Sequence, residues 1–276
     1  MVLALTPSIQ QIKSWNSESN NHNKFDFSLI LACYCESPHL YKNVELLAEY
    51  LSATIFRCEI IFVEDSSPDD TFEKILQCEE LLRKHKISYQ ILRHPVNMGR
   101  GATVQDGFIV ARGDVVGYID IDLEHPMDAL LSMLIRIRKG ECDAVVAHRV
   151  SYKKFINPLR TWMSEGYKAL VHRLLALPVA DTEAGLKLFN REKILPVLAQ
   201  IEDKAWFWDT EIVHRAHLAG LVFGEQTIVF KRNIDKKSTV RVFRDSWVYF
   251  KTLLKYSENK NKIRNKSISQ YVKVPA

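Results

Sequence analysis

Three carboxylates alternate in Asp120-Ile121-Asp122-Leu123-Glu124. Alternate side chains of an extended segment share one face, so this spacing predicts converging carboxylates. Like charges at one point repel unless a cation joins them. Hard oxygen ligands select Mg2+ or Mn2+, which characteristically bridge protein carboxylates and substrate phosphates. A solvated acidic turn has the same composition, but this one directly follows Val115, Val116 and Ile119, as a strand end does. A second acidic stretch, Glu64-Asp65-Ser66-Ser67-Pro68-Asp69-Asp70, closes another apolar run. Ser67 or Asp69 is expected to cap the following helix. Asp65, at the end of the run itself, is expected to accept hydrogen bonds from a base or ribose. Tyr34 offers a ring for a base to stack on, and would serve equally as a core aromatic. Gly99-Arg100-Gly101 is not a dinucleotide fingerprint, because Val104 occupies the third glycine position. A helix starting at 100–102 can still hold a phosphate on its free backbone N–H groups.

Elements that must position these residues are legible in the spacing of apolar positions. Strands are expected at Phe27–Cys33, Cys58–Val63, Ser88–Leu92, Val115–Ile121 and Ala144–Ala147. Helices are expected between them at Leu40–Ile55, Thr71–Lys86, Ala102–Ala111 and Ala129–Arg138. Strands alternating with helices imply a parallel sheet with helices on both faces, an α/β doubly wound fold. Past Val150 the rhythm breaks: a long helix at Pro158–Leu177, strands near Ala184–Phe189 and Leu221–Val229, and an amphipathic helix at Asp245–Tyr256. In an open α/β sheet ligands bind beyond the carboxyl ends of the strands, where the acidic stretches lie. Expected boundaries are a flexible leader at 1–24, one domain at 25–241, and an amphipathic helix with a basic tail at 242–276.

Composition narrows the classes. The 276 residues include 38 Lys+Arg and 33 Asp+Glu, a formal charge of +5, with 47% hydrophobic and 26% charged residues. These are globular values; a mild positive charge permits anionic lipid contact and does not call for nucleic acid. Five cysteines without a CxxC pattern are expected as buried thiols. The richest apolar stretches, Phe27–Cys35 and Leu130–Ile137, are too short to span a bilayer. Met1–Asn23 lacks a basic n-region and a long apolar stretch, so no signal peptide is expected and a cytoplasmic location is.

The ordered strand ends resemble the inverting nucleotide-sugar glycosyltransferases of GT-A fold, family two. Within it they look most like the dolichyl- or polyprenyl-phosphate mannosyl- and glucosyltransferases. The opening P-x-Y-N-E reads Ala32-Cys33-Tyr34-Cys35-Glu36, keeping Tyr and Glu but not Pro and Asn. V-D-D-G-S-x-D-x-T reads Val63 through Thr71, N-x-G-x-G falls at Asn97 onward, and D-A-D-L-Q-H-P reads Asp120 through Pro126. G-S-R is Ala147-His148-Arg149, R-x-x-x-S is Arg160 to Ser164, and D-x-x-S-G-F-R-x-F is Asp181 through Phe189 with Ala184 for Ser. F-x-x-E is matched at Phe207 to Glu211, and a late R…K-S at Arg232 to Ser238. The resemblance covers Phe27 to Arg241.

It implies that Tyr34, Glu36, Asp65 and Arg100 hold the nucleotide, and that Asp120, Asp122 and Glu124 bind Mg2+ or Mn2+. Arg149, Arg160, Ser164, Lys187 and Arg232 would grip the phosphate of a lipid acceptor, a task suited to Arg. The implied donor is a GDP- or UDP-linked sugar of mannose or glucose type, and the acceptor a polyprenyl phosphate. A sugar hydroxyl acceptor would instead need a general base, with Asp209 and Glu211 as candidates. A catalytically silent nucleotide-sugar-binding subunit is a third reading. A lipid acceptor implies a peripheral enzyme on the cytosolic face of a membrane, held by its C-terminal helix or by a membrane-anchoring partner subunit.

Overall fold

The computed structural model describes residues 2–3, 25–150, 158–229, 242–260 and 263, and for 2–3, 158–165, 167 and 242–246 the backbone alone. Its strands are β1 (Val2–Leu3), β2 (Phe27–Cys33), β3 (Cys58–Glu64), β4 (Ser88–Arg93), β5 (Val115–Ile119), β6 (Ala144–Val150), β7 (Leu186–Asn190) and β8 (Phe223–Val229). Its helices are α1 (Leu40–Ser52), α2 (Thr71–Lys84), α3 (Arg100–Val110), α4 (Met127–Arg138), α5 (Pro158–Leu175), α6 (Arg191–Leu198), α7 (Trp208–Leu218) and α8 (Val242–Glu258). The sheet order is β1-β4-β3-β2-β5-β7-β6-β8. Every pairing is parallel except those of β7, which runs antiparallel to both β5 and β6.

Both faces of the sheet are covered, which is why its central strands are continuously apolar. Successive side chains of β2 alternate between two cores. Phe27, Leu29, Leu31 and Cys33 join Val44 and Leu47 of α1, Ile75 and Leu82 of α2, and Leu130 and Met133 of α4. Ile30 joins Val104 and Phe108 of α3, Val171 of α5, Val197 of α6, Ile212 of α7 and Leu253 of α8 on the other face. Each such side chain, fully buried, contributes about 1.5–3 kcal/mol. All five cysteines are free thiols, four buried and Cys35 half-buried.

Several expected boundaries move. The first helix stops at Ser52, and Ile55 is 93% exposed instead of inward. Thr54 Oγ1 donates to Leu51 O at 2.8 Å, a local bond that competes with the helical ladder. The last helix turns a different face inward than its Trp247, Phe250 and Leu254 spacing suggests. Tyr249, Leu253 and Tyr256 pack on the second core, while Trp247 and Val248 stay more than half exposed. Two helices, α6 and α7, have no counterpart in the sequence reading. Every residue from Trp208 to Ala216 is buried, charged ones included, so α7 has no polar face for a periodicity argument to detect. Residues of the expected leader beyond Val2–Leu3, and the basic tail past Ile263, lie outside the described residues.

Candidate active site

The carboxyl end of β3 leads into a turn that organises itself around Asp65. This side chain is 2% exposed. Its Oδ1 accepts the Met98 N–H at 2.7 Å and its Oδ2 the Gly99 N–H at 2.9 Å. His94 Nδ1 lies 2.7 Å from Oδ1, and His94 Nε2 lies 3.1 Å from Asp106 Oδ2 on α3. Burial disfavours a charged ring, but Asp106 and Asp65 outweigh it and lift the His94 pKa to about 9. Neither Ser67 nor Asp69 is the expected helix cap: the N-cap is Asp70, while Asp69 Oδ1 accepts from the Thr71 N–H at 3.2 Å and Ser67 Oγ from the Cys35 N–H. Tyr34 stands 40% exposed just past the end of β2, with Glu36 half-buried beside it.

Gly99 starts α3. Its φ is +92°, and a Cβ there would meet Lys204 O at 2.6 Å, so only glycine fits. The first residue of α3, Arg100, reaches across to Asp120 Oδ1 at 2.7 Å and to Asp209 Oδ2 at 3.3 Å. Asp209 is 5% exposed and also accepts from Lys187 Nζ at 2.7 Å and from the Tyr118 hydroxyl. Burial raises the Asp209 pKa, yet Lys187 and Arg100 overcome it and hold the carboxyl below the usual range.

The acidic stretch after β5 is a turn, not the extended segment that its alternation suggests. The Leu123 N–H donates to Asp120 O at 3.0 Å, and Leu123 adopts a left-handed φ of 49°. Asp120 lies against β7, its N–H donating to Gly185 O at 2.9 Å. A Cβ at Gly185 would sit 1.7 Å from Asp120 Oδ2, so this glycine makes room for the carboxylate. Asp122 Oδ1 accepts weakly from the Glu124 N–H at 3.4 Å. Among the described residues no group of three or more His, Cys, Asp or Glu is set to hold a metal ion. The donor chemistry still fits a hard divalent cation: Asp120 and Asp122 are carboxylates two residues apart in one turn, and Asp120 is balanced by the Arg100 cation.

At the end of β6, Arg149 makes a bidentate pair with Asp181, Nε to Oδ2 at 2.8 Å and an Nη to Oδ1 at 2.9 Å. Lys168 of α5 joins the same carboxylate at 3.2 Å. Burial opposes the Asp181 charge, but Arg149 and Lys168 hold its carboxyl well below the usual range. A small cavity opens beside this cluster, lined by Lys168, His172, Asp181, Thr182 and Glu183. Arg160 and Ser164 fall on the backbone of α5, their side chains outside the described residues, as is the whole of Arg232.

Three expectations need correction. Lys187 is not available to an acceptor phosphate: it is 0% exposed, and its three donors go to Tyr118, Ala184 O and Asp209. Glu211 is not placed as a base, since its oxygens accept from the Glu202 and Asp203 N–H groups and from Arg215 Nε at 2.6 Å. Asp209 is ionised but spent on Lys187, Tyr118 and Arg100. His94, Lys168 and Tyr118 were missed. Only the His94-Pro95 position straight after a strand offered a signal; Lys168 and Tyr118 sit inside elements with no motif.

A model of glycosyl transferase family 2 matches residues 28–195. Glycosyltransferase AglD of Haloferax volcanii is 31% identical over 220 residues, which is 77% of this chain and 34% of that protein. Dolichyl-phosphate beta-glucosyltransferase ALG5A of Trichomonas vaginalis is 29% identical over 208 residues, 72% of this chain and 63% of that protein. The chain therefore spans about a third of the first relative and under two thirds of the second. Glucosyl-3-phosphoglycerate synthase from Mycobacterium tuberculosis, solved with Mn2+, UDP and glucosyl-3-phosphoglycerate, has a TM-score of 0.59 at 12% identity, covering 94% of this chain and 86% of that one. The shared architecture is the GT-A fold.

Proposed function

The chain belongs to glycosyl transferase family 2, and from that premise we propose that it transfers a hexose from a nucleoside diphosphate sugar to a polyprenyl phosphate. The observation that carries this reading is the Asp120–Asp122 turn at the end of β5, closed against Gly185 and balanced by Arg100. Asp120 and Asp122, with Glu124, would hold Mg2+ or Mn2+, which would neutralise the charge of the leaving diphosphate. Tyr34, Glu36 and the turn built on Asp65 would receive the nucleoside, with Asp65 acting chiefly by holding the Met98 and Gly99 amides in place. Of glucose and mannose, the dolichyl-phosphate beta-glucosyltransferase relative favours glucose. The Mn2+ and UDP bound by the mycobacterial synthase accord with a divalent ion and a UDP donor.

Engagement of both candidate bases favours a phosphate acceptor over a sugar hydroxyl. A phosphate oxygen is already anionic near neutral pH and needs only positioning. Arg149 and Lys168 gather on Asp181, and Arg160 and Ser164, on the backbone of α5, are proposed to join them in receiving the acceptor phosphate. No described helix is long and apolar enough to cross a membrane. For a lipid acceptor, the proposed contact with the bilayer is the outer face of α8 or a partner subunit. That face carries Trp247, Val248 and Leu254, with Lys251 Nζ 5.2 Å from the Trp247 ring centroid.

The test is a donor panel. Radiolabelled UDP-glucose, GDP-mannose and UDP-N-acetylglucosamine are each incubated with protein, polyprenyl phosphate and Mn2+ or Mg2+. Label entering the lipid phase from UDP-glucose, and lost with EDTA, is the expected result. Transfer that survives EDTA, or no lipid label from any donor, would overturn the reading.

A further inference from the structure

His94 has no place in the scheme above, yet it sits under the donor turn. Its ring is 6% exposed and each of its nitrogens faces a carboxylate oxygen, Asp65 at 2.7 Å and Asp106 at 3.1 Å. A neutral imidazole has one N–H and one bare lone pair. It can therefore satisfy only one of these contacts, and the other would set a lone pair against an anion. Both contacts are favourable only for the doubly protonated ring. The Asp65 oxygen that meets His94 is also the one that accepts the Met98 N–H, and the other Asp65 oxygen accepts the Gly99 N–H. Gly99 precedes Arg100, and Arg100 pairs with Asp120. One unbroken series of contacts thus joins Asp106, His94, Asp65, the 97–99 turn, Arg100 and Asp120.

We propose that His94, held as an imidazolium between Asp65 and Asp106, is a positioning residue for the donor site, fixing the Asn97–Gly99 turn from which Arg100 reaches Asp120. Asp65 at the end of β3 and Asp106 on α3 are the charged groups that face it. While the ring is charged, Asp65 is anchored between His94 and the two turn amides. Loss of one proton breaks one of the two contacts and frees a carboxylate to swing, and the turn loses its fixed floor. Donor affinity then depends on alkaline pH through a group that touches neither donor nor metal ligand. The inference rests on the glycosyl-transfer reading for the word donor, but the coupling of ring to turn does not.

The experiment pairs a titration with kinetics. In the full chain the His94 13Cε1 shift and the carbon-detected backbone shifts of Met98 and Gly99 are followed with pH. The expected midpoint lies near 9 for all three. In Asp106→Asn, which removes one anion and keeps the shape, the His94 midpoint falls by about 1–3 units, and the turn shifts follow it down. In parallel, KM for UDP-glucose rises above the midpoint while kcat changes less. His94→Gln raises that KM about tenfold near pH 7, the size of one lost charged hydrogen bond, and abolishes the alkaline break. A His94 midpoint near 6.5, turn shifts indifferent to it, or an alkaline loss confined to kcat would each overturn the proposal. If no hexose transfer occurs while the turn shifts still track His94, the glycosyl-transfer reading falls and the positioning of the turn stands.

Discussion

Two ion clusters flank the end of β5, and they are built on opposite plans. In the first, Asp209 accepts from Lys187, Tyr118 and Arg100, and Arg100 passes on to Asp120. Carboxylates and cations alternate one for one; Lys187 and Asp209 are buried, and Arg100 and Asp120 half-buried. In the second, Arg149 and Lys168 share the carboxylate of Asp181, with Glu183 close by, beside a small cavity. The first arrangement is a closed frame; its charges satisfy each other and fix where Asp120 stands. The second gathers Arg149, Lys168, Asp181 and Glu183 at a small cavity, where we propose a further anion is received. A charged residue in a family motif therefore has two possible fates, and Lys187 and Arg149 illustrate one each.

The sharpest way to break this comparison is to remove Asp209. Asp209→Ala leaves Lys187 and Arg100 without their shared anion, and stability in denaturant unfolding should fall by about 3–5 kcal/mol. A Lys187→Met, Asp209→Leu double variant should recover most of that loss, because burying neither charge avoids the desolvation cost. Equal losses for the single and double variants would contradict a closed frame.

Asp122→Asn should separate chemistry from scaffold. It lies on the turn outside the frame, so stability should change by less than about 0.5 kcal/mol. The rate should fall at least about a hundredfold, as expected for losing part of a metal's charge stabilisation. Steady-state kinetics with saturating Mn2+ reads the second quantity, and thermal unfolding the first.

His94 supplies a pH signature. Its folded pKa is raised to about 9 against an ordinary 6.5. Its contribution is thus fully present below pH 6.5 and is lost as pH rises through about 9. Unfolding stability should drop by roughly 1–3 kcal/mol across that window, and the drop should vanish in His94→Gln. Lys168→Ala carries the smallest expected effect. It should raise KM for polyprenyl phosphate about tenfold, near 1.4 kcal/mol, with kcat and fold stability little changed. A large stability loss would place Lys168 in a frame like that of Lys187.

Much of the fold was legible because a parallel sheet covered on both faces writes its strands as apolar runs, and Phe27–Cys33 is found as expected. Legibility failed where burial erased the polar face. Helix α7 carries Asp209, Glu211, His214 and Arg215 inside, Glu211 and Arg215 paired with each other and Asp209 and His214 with distant partners, so its pattern resembles no amphipathic helix. At the site, the positions of Asp120, Asp65 and Arg149 at strand ends were readable from order alone. Their partners were not. Nothing in sequence couples His94 to Asp106 across 12 positions, or Arg149 to Asp181 across 32. The Asp120–Glu124 alternation also misled, because a period of two describes a strand only while the strand continues, and this one ends at Ile119.

In the proposed reaction an anionic acceptor attacks without a general base. This is tested most directly by offering the purified protein polyprenyl phosphate and the matching polyprenol, side by side, with radiolabelled UDP-glucose and Mn2+. Label is expected on the phosphate and none above background on the alcohol, whose hydroxyl would need a base that Asp209 and Glu211 are not free to provide. Comparable transfer to both lipids would contradict it.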